Sequence, residues 1–286
     1  REARSCSYRQ GMRSWLLLCV LAQAHSYAGS GTQGTRFKKI EVIDLSQTLV
    51  PYETAWDWQQ RLAEKHIALQ DDPTQTQGTQ GAQLVGSLLM LQHPPVYTLG
   101  SGTNPSSGPF GNTDASGAAL PFETVVVNRA GEATYHGPGQ VVLYPILDLR
   151  YYGKDIDLYL RALEQTVITA AAQFGITADR MQKPGYTGVW VGEHKVAALG
   201  VKISRWVTLH GVAVNVSPDM RYFDNIVPCG IRDKPVGALS QFASLQGEGG
   251  VKVVAQALLE SFLSTFGAEG LLVEEAVPYL ESLPHR

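Results

Sequence analysis

Three things are scarce in this chain of 286 residues: cysteine, charge of one dominant sign, and long apolar runs. Three cysteines cannot build a disulfide framework. Two of them, Cys6 and Cys19, fall within the first 20 residues, so Cys229 stands alone in the remainder. With 23 basic and 26 acidic residues the net charge is −3. There is no general basic field, and nucleic acid is not an expected partner. The apolar run from Trp15 to Ala22 is eight residues long. A membrane span needs about 20, so no membrane partner is expected. No second cysteine and no paired histidine spacing accompanies Cys229, and no metal site is expected. The Walker A pattern is missing as well. What is present is a globular composition, 44% apolar and 17% charged, with 29 glycines and 15 prolines to make tight turns.

Acid is also missing from residues 3–40, which carry Arg4, Arg9, Arg13, Arg36, Lys38, Lys39 and several serines. An A-x-A shape, Ala22-Gln23-Ala24, follows the apolar run. An arginine- and serine-rich, acid-poor leader reads as an organelle transit peptide, while the short apolar run also fits a signal-peptide core. Residues 1–36 are therefore expected to be a targeting leader. Residues 37–286 are expected to be a single domain, because no linker divides them.

Hydrophobic periodicity predicts strands at 40–45, 86–91, 96–100, 124–128, 141–147 and 206–216. Pro145 is expected to break the fifth of these. Helices are predicted over 52–70, 157–174 and 251–266, the last two ended by Gly175 and Gly267. Residues 189–201 read as a hairpin turning at Gly192-Glu193. Residues 73–83 form a polar loop, and the Gly/Ser/Pro/Asn-rich stretch 100–119 is long enough to be functional or disordered. Strands outnumber helices and come in hairpins. The expected class is α+β, a mixed β-sheet with flanking helices.

Four segments carry candidate chemistry. Residues 129–140, RAGEATYHGPGQ, read as a loop between strands whose glycines let backbone approach a ligand. No G-x-G-x-x-G lies within it. Lys195 heads the small, apolar strand 195–200, where burial would free its amine for base chemistry. In 208–215, alternation places His210, Val212 and Val214 on one face and Leu209, Gly211 and Ala213 on the other. The small residues of the second face leave a groove. Finally, Pro228 and Gly230 put Cys229 on a tight loop, where a lone thiol is a candidate nucleophile if a cation lies nearby.

Taken together these segments resemble the lipoyl(octanoyl) transferases, the lipoate-protein ligase B family. The resemblance runs from about Val42 to Gly247. It rests on LQHPPVYTLG (91–100), RAGEATYHGPGQ (129–140), YPI (144–146), TGVWV (187–191), KVAALGVKIS (195–204), HGVAVNV (210–216) and IVPCGI (226–231).

The resemblance implies a biotin/lipoate protein ligase-like catalytic domain and a ping-pong octanoyl transfer that uses no cofactor. It puts Cys229 at the place of the nucleophile and Lys195 at that of the lysine that activates it. Arg129, Ala130, Gly131, Glu132, Ala133, Thr134, Tyr135 and His136 look like the substrate-binding loop. Ala198, Leu199 and Gly200, with Gly211, Val212 and Ala213, match the acyl-contact stretches, and His210 is a possible supporting residue. One departure is visible: Ala130 stands where the family usually has glycine, which questions the geometry of that loop. The implied partners are octanoyl-acyl carrier protein as donor and apo lipoyl domains as acceptor. Those domains belong to 2-oxoacid dehydrogenase subunits or to the glycine cleavage H protein. The implied compartment is the plastid, with the mitochondrion as alternative. An ATP-dependent lipoate or biotin ligase and a lipoyl amidotransferase are the alternatives on the same fold.

Overall fold

A computed structural model describes residues 37–71, 82–103, 119 and 121–284. The expected leader, most of the polar loop and most of the stretch after Gly100 lie outside the described residues.

The chain opens with β1 (Phe37–Leu49) and α1 (Tyr52–Asp71), followed by β2 (Ala82–Gln92) and β3 (Val96–Leu99). Next come β4 (Thr124–Val126), β5 (Ala133–His136) and β6 (Gln140–Leu147). Helix α2 (Ile156–Ala172) precedes β7 (Val189–Val191), β8 (His194–Ser204) and β9 (Val207–Asn215). The chain ends with α3 (Gly247–Phe266), β10 (Ala268–Leu272) and α4 (Ala276–Ser282).

Seven strands form one sheet in the order β10-β1-β2-β6-β9-β8-β7. β1 runs parallel to both β10 and β2; the remaining pairs are antiparallel. This is the mixed sheet with flanking helices that the sequence predicts. One face packs against α2 and α3 through Leu163, Val167, Leu258, Phe262 and Phe266, all at most 1% exposed. The other face packs against α1 and α4 through Trp58, Leu62 and Leu280. Burying each of these side chains contributes about 1.5–3 kcal/mol. A second, three-stranded sheet, β4-β3-β5, lies alongside with its own cluster of Tyr97, Leu99, Tyr135, Phe223 and Ile226.

Two expectations need correction, and two elements lie beyond the sequence reading. Pro145 does not break β6, and it pairs with Leu88 of β2. Pairing of β6 with β9 stops at Leu143, so the missing proline N–H leaves no gap in that ladder. The segment 129–140 is not one loop, because β5 runs through it. β10 and α4 have no counterpart in the sequence reading; β10 is short and mostly exposed, with little periodicity to betray it.

Candidate active site

The hairpin of β7 and β8 turns at Gly192, whose φ of 57 suits glycine. It delivers Lys195 to the sheet, where its backbone is clamped: its N–H donates to Pro235 O (2.9 Å) and its carbonyl accepts from Gly237 N–H (3.0 Å). The side chain is buried at 5% exposure. Its Nζ lies 5.7 Å from the centre of the Trp190 ring. Cys229 sits in a single 3-10 turn, Pro228–Gly230, half-buried and with a free thiol. Its φ of 54 is in the left-handed region, which costs a non-glycine residue about 1–2 kcal/mol. Strain of this kind persists only where the surroundings enforce it.

Cys229 and Lys195 line one cavity of about 230 Å³. Arg129, Ala130, Gly131 and Glu132 line it from the loop after β4. Ala198, Leu199 and Gly200 of β8 line it together with Gly211, Val212 and Ala213 of β9. The loop rests directly on the floor: a Cβ at Gly200 would fall 2.8 Å from Ala130 O and 2.9 Å from Arg129 Cδ. Ala130 N–H donates to Val201 O (3.0 Å) and fixes the loop to the edge of β8. Ala130 itself is not at positive φ, whereas Gly131 is, at 91. The methyl of Ala130 is therefore accommodated, which settles the departure noted above.

Ala133 and Tyr135 do not line the cavity. They belong to β5, where alternation turns Thr134 and His136 to the cavity and Ala133 and Tyr135 into the cluster around Tyr97. His210 does line the cavity, but its ring is oriented otherwise than the alternation predicts. It was placed with Val212 and Val214, which pack toward α2 and α3. Its φ of 58 breaks the alternation and turns the ring toward α1, where it stacks on Trp56 at 4.6 Å. Its N–H meets Gln59 Oε1 (2.9 Å), and Nε2 meets Asn128 Oδ1 (3.0 Å). Burial, with help from the positive Arg129, depresses the His210 pKa to about 3, so the ring is neutral.

Tyr52, Val142, Tyr144, Leu160, Gly185, Thr187 and Val201 complete the lining and carry no isolated sequence signal. Thr187 and Val201 fall in recognised motifs, as does Tyr144. The Tyr144 hydroxyl donates to His93 Nε2 (2.7 Å), because His93 Nδ1 must donate to Val50 O (2.7 Å).

A hydrogen-bond chain connects the two halves of the site, and its ends fix its polarity. Gly237 O accepts from Asn215 Nδ2 (3.0 Å), so Asn215 Oδ1 accepts from Gln140 Nε2 (2.9 Å). Gln140 Oε1 then accepts from His136 Nδ1 (2.7 Å), and His136 Nε2 accepts from the Thr98 hydroxyl (3.3 Å). Thr98 Oγ1 in turn accepts from Arg129 Nη2 (2.9 Å). Burial holds His136 well below the usual histidine pKa, which keeps it the neutral link this chain requires. Arg129 also donates to Thr98 O (3.1 Å) and Ala130 O (3.2 Å). All its acceptors are neutral, and burial lowers its pKa from the usual arginine value. A buried guanidinium with no carboxylate partner among the described residues faces the cavity with its charge available.

A cysteine, a lysine and a cation converging on a small apolar cavity suit acyl transfer, and the comparisons agree. The model of the lipoyl protein ligase A/B catalytic domain matches residues 51–263. The chain belongs to this family. Among its family relatives, an octanoyltransferase of Synechococcus sp. is 47% identical over 236 residues, covering 79% of this chain and 83% of the relative. The chloroplastic octanoyltransferase LIP2p2 of Arabidopsis thaliana is 44% identical over 206 residues, covering 72% and 68%. Among solved structures, a bipartite lipoate protein ligase from Thermoplasma acidophilum superposes with a TM-score of 0.55 at 14% identity, covering 87% of this chain and 91% of that one. Lipoate-protein ligase A bound with ATP gives 0.56 at 14%, covering 86% and 92%. These structures share the lipoate-ligase family's fold with the chain.

Proposed function

We propose that the chain moves an octanoyl group through a thioester on Cys229, from acyl carrier protein to the lysine of a lipoyl domain. The chain is an acyltransferase of protein lipoylation, as its octanoyltransferase relatives support. The observation that carries the covalent route is the convergence of Cys229 and Lys195 on one cavity with small apolar walls.

In the first half-reaction Sγ attacks the donor's thioester carbonyl. The thiol proton passes to the Lys195 amine and on to the departing thiolate, so one thioester forms as another breaks. That exchange is nearly isoenergetic and needs no ATP. In the second half-reaction the acceptor amine attacks the acyl-cysteine carbonyl, the carbon–sulfur bond breaks, and the amine proton returns through Lys195 to Sγ. The charge of Arg129 is available to the oxyanion formed in each step. Ala198, Gly200, Gly211 and Ala213 line the cavity that takes the alkyl chain, and Arg129 to Glu132 line it from the loop above.

The acceptors in this reading are lipoyl domains of 2-oxoacid dehydrogenase subunits or the glycine cleavage H protein. Plastid placement belongs to the same proposal, with the mitochondrion as alternative. It is supported by the acid-poor leader and the chloroplastic relative, although cyanobacterial relatives are equally similar.

The test is incubation with octanoyl-acyl carrier protein and an apo lipoyl domain without ATP. Mass spectrometry should find an octanoyl adduct on Cys229, absent from Cys229→Ala, and transfer should fall steeply in Lys195→Ala. Strict ATP dependence, with transfer indifferent to Cys229→Ser, would instead indicate a ligase.

A further inference from the structure

The acyl cavity accounts for one side of Cys229. A second groove, of about 540 Å³, runs along the same loop over Val227, Pro228 and Ile231. A narrow throat of about 10 Å³ lies between the two. Its walls include Lys195, Ala198 and Cys229, shared with the acyl cavity, and Phe223, Pro228 and Val236, shared with the groove. The nucleophile and its base therefore stand where two compartments meet.

The compartments differ in chemistry. The groove pairs an apolar strip, including Phe223, Ile226 and Val227, with three basic side chains, Arg221, Arg232 and Lys234, against one acid, Asp224. A thioester presented to Cys229 must place its acyl chain on one side of the carbonyl and its leaving thiol on the other. The leaving thiol of an acyl carrier ends a long, mostly uncharged arm that bears a phosphate. The acceptor's lysine stem ends in a cation and brings no group that the groove's basic side chains could bind.

We propose that this groove receives the phosphopantetheine arm of the acyl donor, with its phosphate among Arg221, Arg232 and Lys234. The proposal rests on the acyl-enzyme reading above. Arg221 is paired with Asp219 (2.6 Å) and Lys234 with Glu193. Both pairs lie at the surface, where such pairs contribute about 1 kcal/mol or less, so a phosphate can draw the cations over. The apolar strip holds the arm's methylene and methyl groups.

The test compares two small donors, octanoyl-phosphopantetheine and octanoyl-pantetheine, by the rate at which each acylates Cys229 in the whole chain. Wild type should prefer the phosphorylated donor by about 10-fold or more, the worth of one or two charge-assisted hydrogen bonds. The double variant Arg221→Ala/Arg232→Ala should bring the ratio close to one and leave acylation by octanoyl-pantetheine unchanged. Lys234→Ala should lower the ratio in the same way. Equal rates with the two donors in wild type would overturn the proposal. So would a variant that slows both donors alike, or one that slows only transfer to the lipoyl domain, which would give the groove to the acceptor. Labelling of Cys229 without a phosphate preference defeats the groove alone. Failure of either donor to label Cys229, with ATP-dependent transfer intact, defeats the acyl-enzyme reading as well.

Discussion

Gly188 and Lys195 compete for one space: a methyl group on Gly188 would fall on Lys195 Cε. Gly188 has φ 147, and its N–H donates to Glu164 Oε1 (2.9 Å). Glu164 is fully buried and paired with Arg161 (2.6 Å) and Arg180 (3.1 Å). The lysine stem is thus seated on a glycine that a buried carboxylate pins in place.

Gly188→Ala should displace Lys195 and cut the transfer rate by about 100-fold, the usual cost of moving a reacting group by an ångström. Transfer assays beside a thermal melt check this. A variant with wild-type turnover would show that the lysine amine does not depend on this seat.

Ala130 and Gly131 should respond oppositely to exchange. Ala130 is exposed and not at positive φ, so Ala130→Gly should change stability by about 1 kcal/mol or less and leave kcat/KM nearly unchanged. Gly131→Ala forces φ 91 on an alanine, at a cost of about 1–3 kcal/mol, and should lower kcat/KM through the loop. Parallel steady-state assays decide between them.

Arg129→Met should separate activity from stability. The guanidinium is buried without a carboxylate partner among the described residues, so its desolvation offsets its three hydrogen bonds. We expect about a 100-fold loss in kcat/KM, typical for one oxyanion-stabilising donor, with little change in the denaturant midpoint. A large drop in stability with activity preserved would reverse the assignment.

Four buried histidines should make stability fall on acidification. Burial lowers His66 and His93 to about 4 and His210 to about 3, and holds His136 lower than its usual range. Unfolded histidines titrate near 6.5. Between about pH 6.5 and 4 the unfolded chain therefore binds protons that the folded chain refuses, and stability rises with pH across that window. Each histidine contributes up to about 1.4 kcal/mol per pH unit. Urea midpoints at pH 7.5 and 5.5 test the slope, and His66→Gln should reduce it.

Much of the site was legible in local sequence. The hairpin that delivers Lys195 was visible in Gly192 and its flanking apolar residues, and the half-buried turn of Cys229 in Pro228 and Gly230. The helices α1, α2 and α3 were visible in their 3.6-residue pattern, and the ends of α2 and α3 in Gly175 and Gly267. Tyr52, Leu160 and Gly185 reach the cavity only because distant elements fold over it, and nothing in their neighbours marks them.

The sequence by itself determined most of the elements, the family and the candidate residues for the chemistry, because periodicity, turn residues and motif order are local properties. Only the tertiary structure decided how those residues are used. It turned His210 away from its strand partners through a backbone dihedral that no residue pattern displays. It sent Ala133 and Tyr135 to the opposite face from Thr134 and His136, because a short strand runs where a loop was expected. It left Arg129 buried among neutral acceptors, and it opened a second groove beside Cys229. The scarcity of cysteine singled out Cys229; packing between elements far apart in the chain gave it a cavity, a lysine and a second approach.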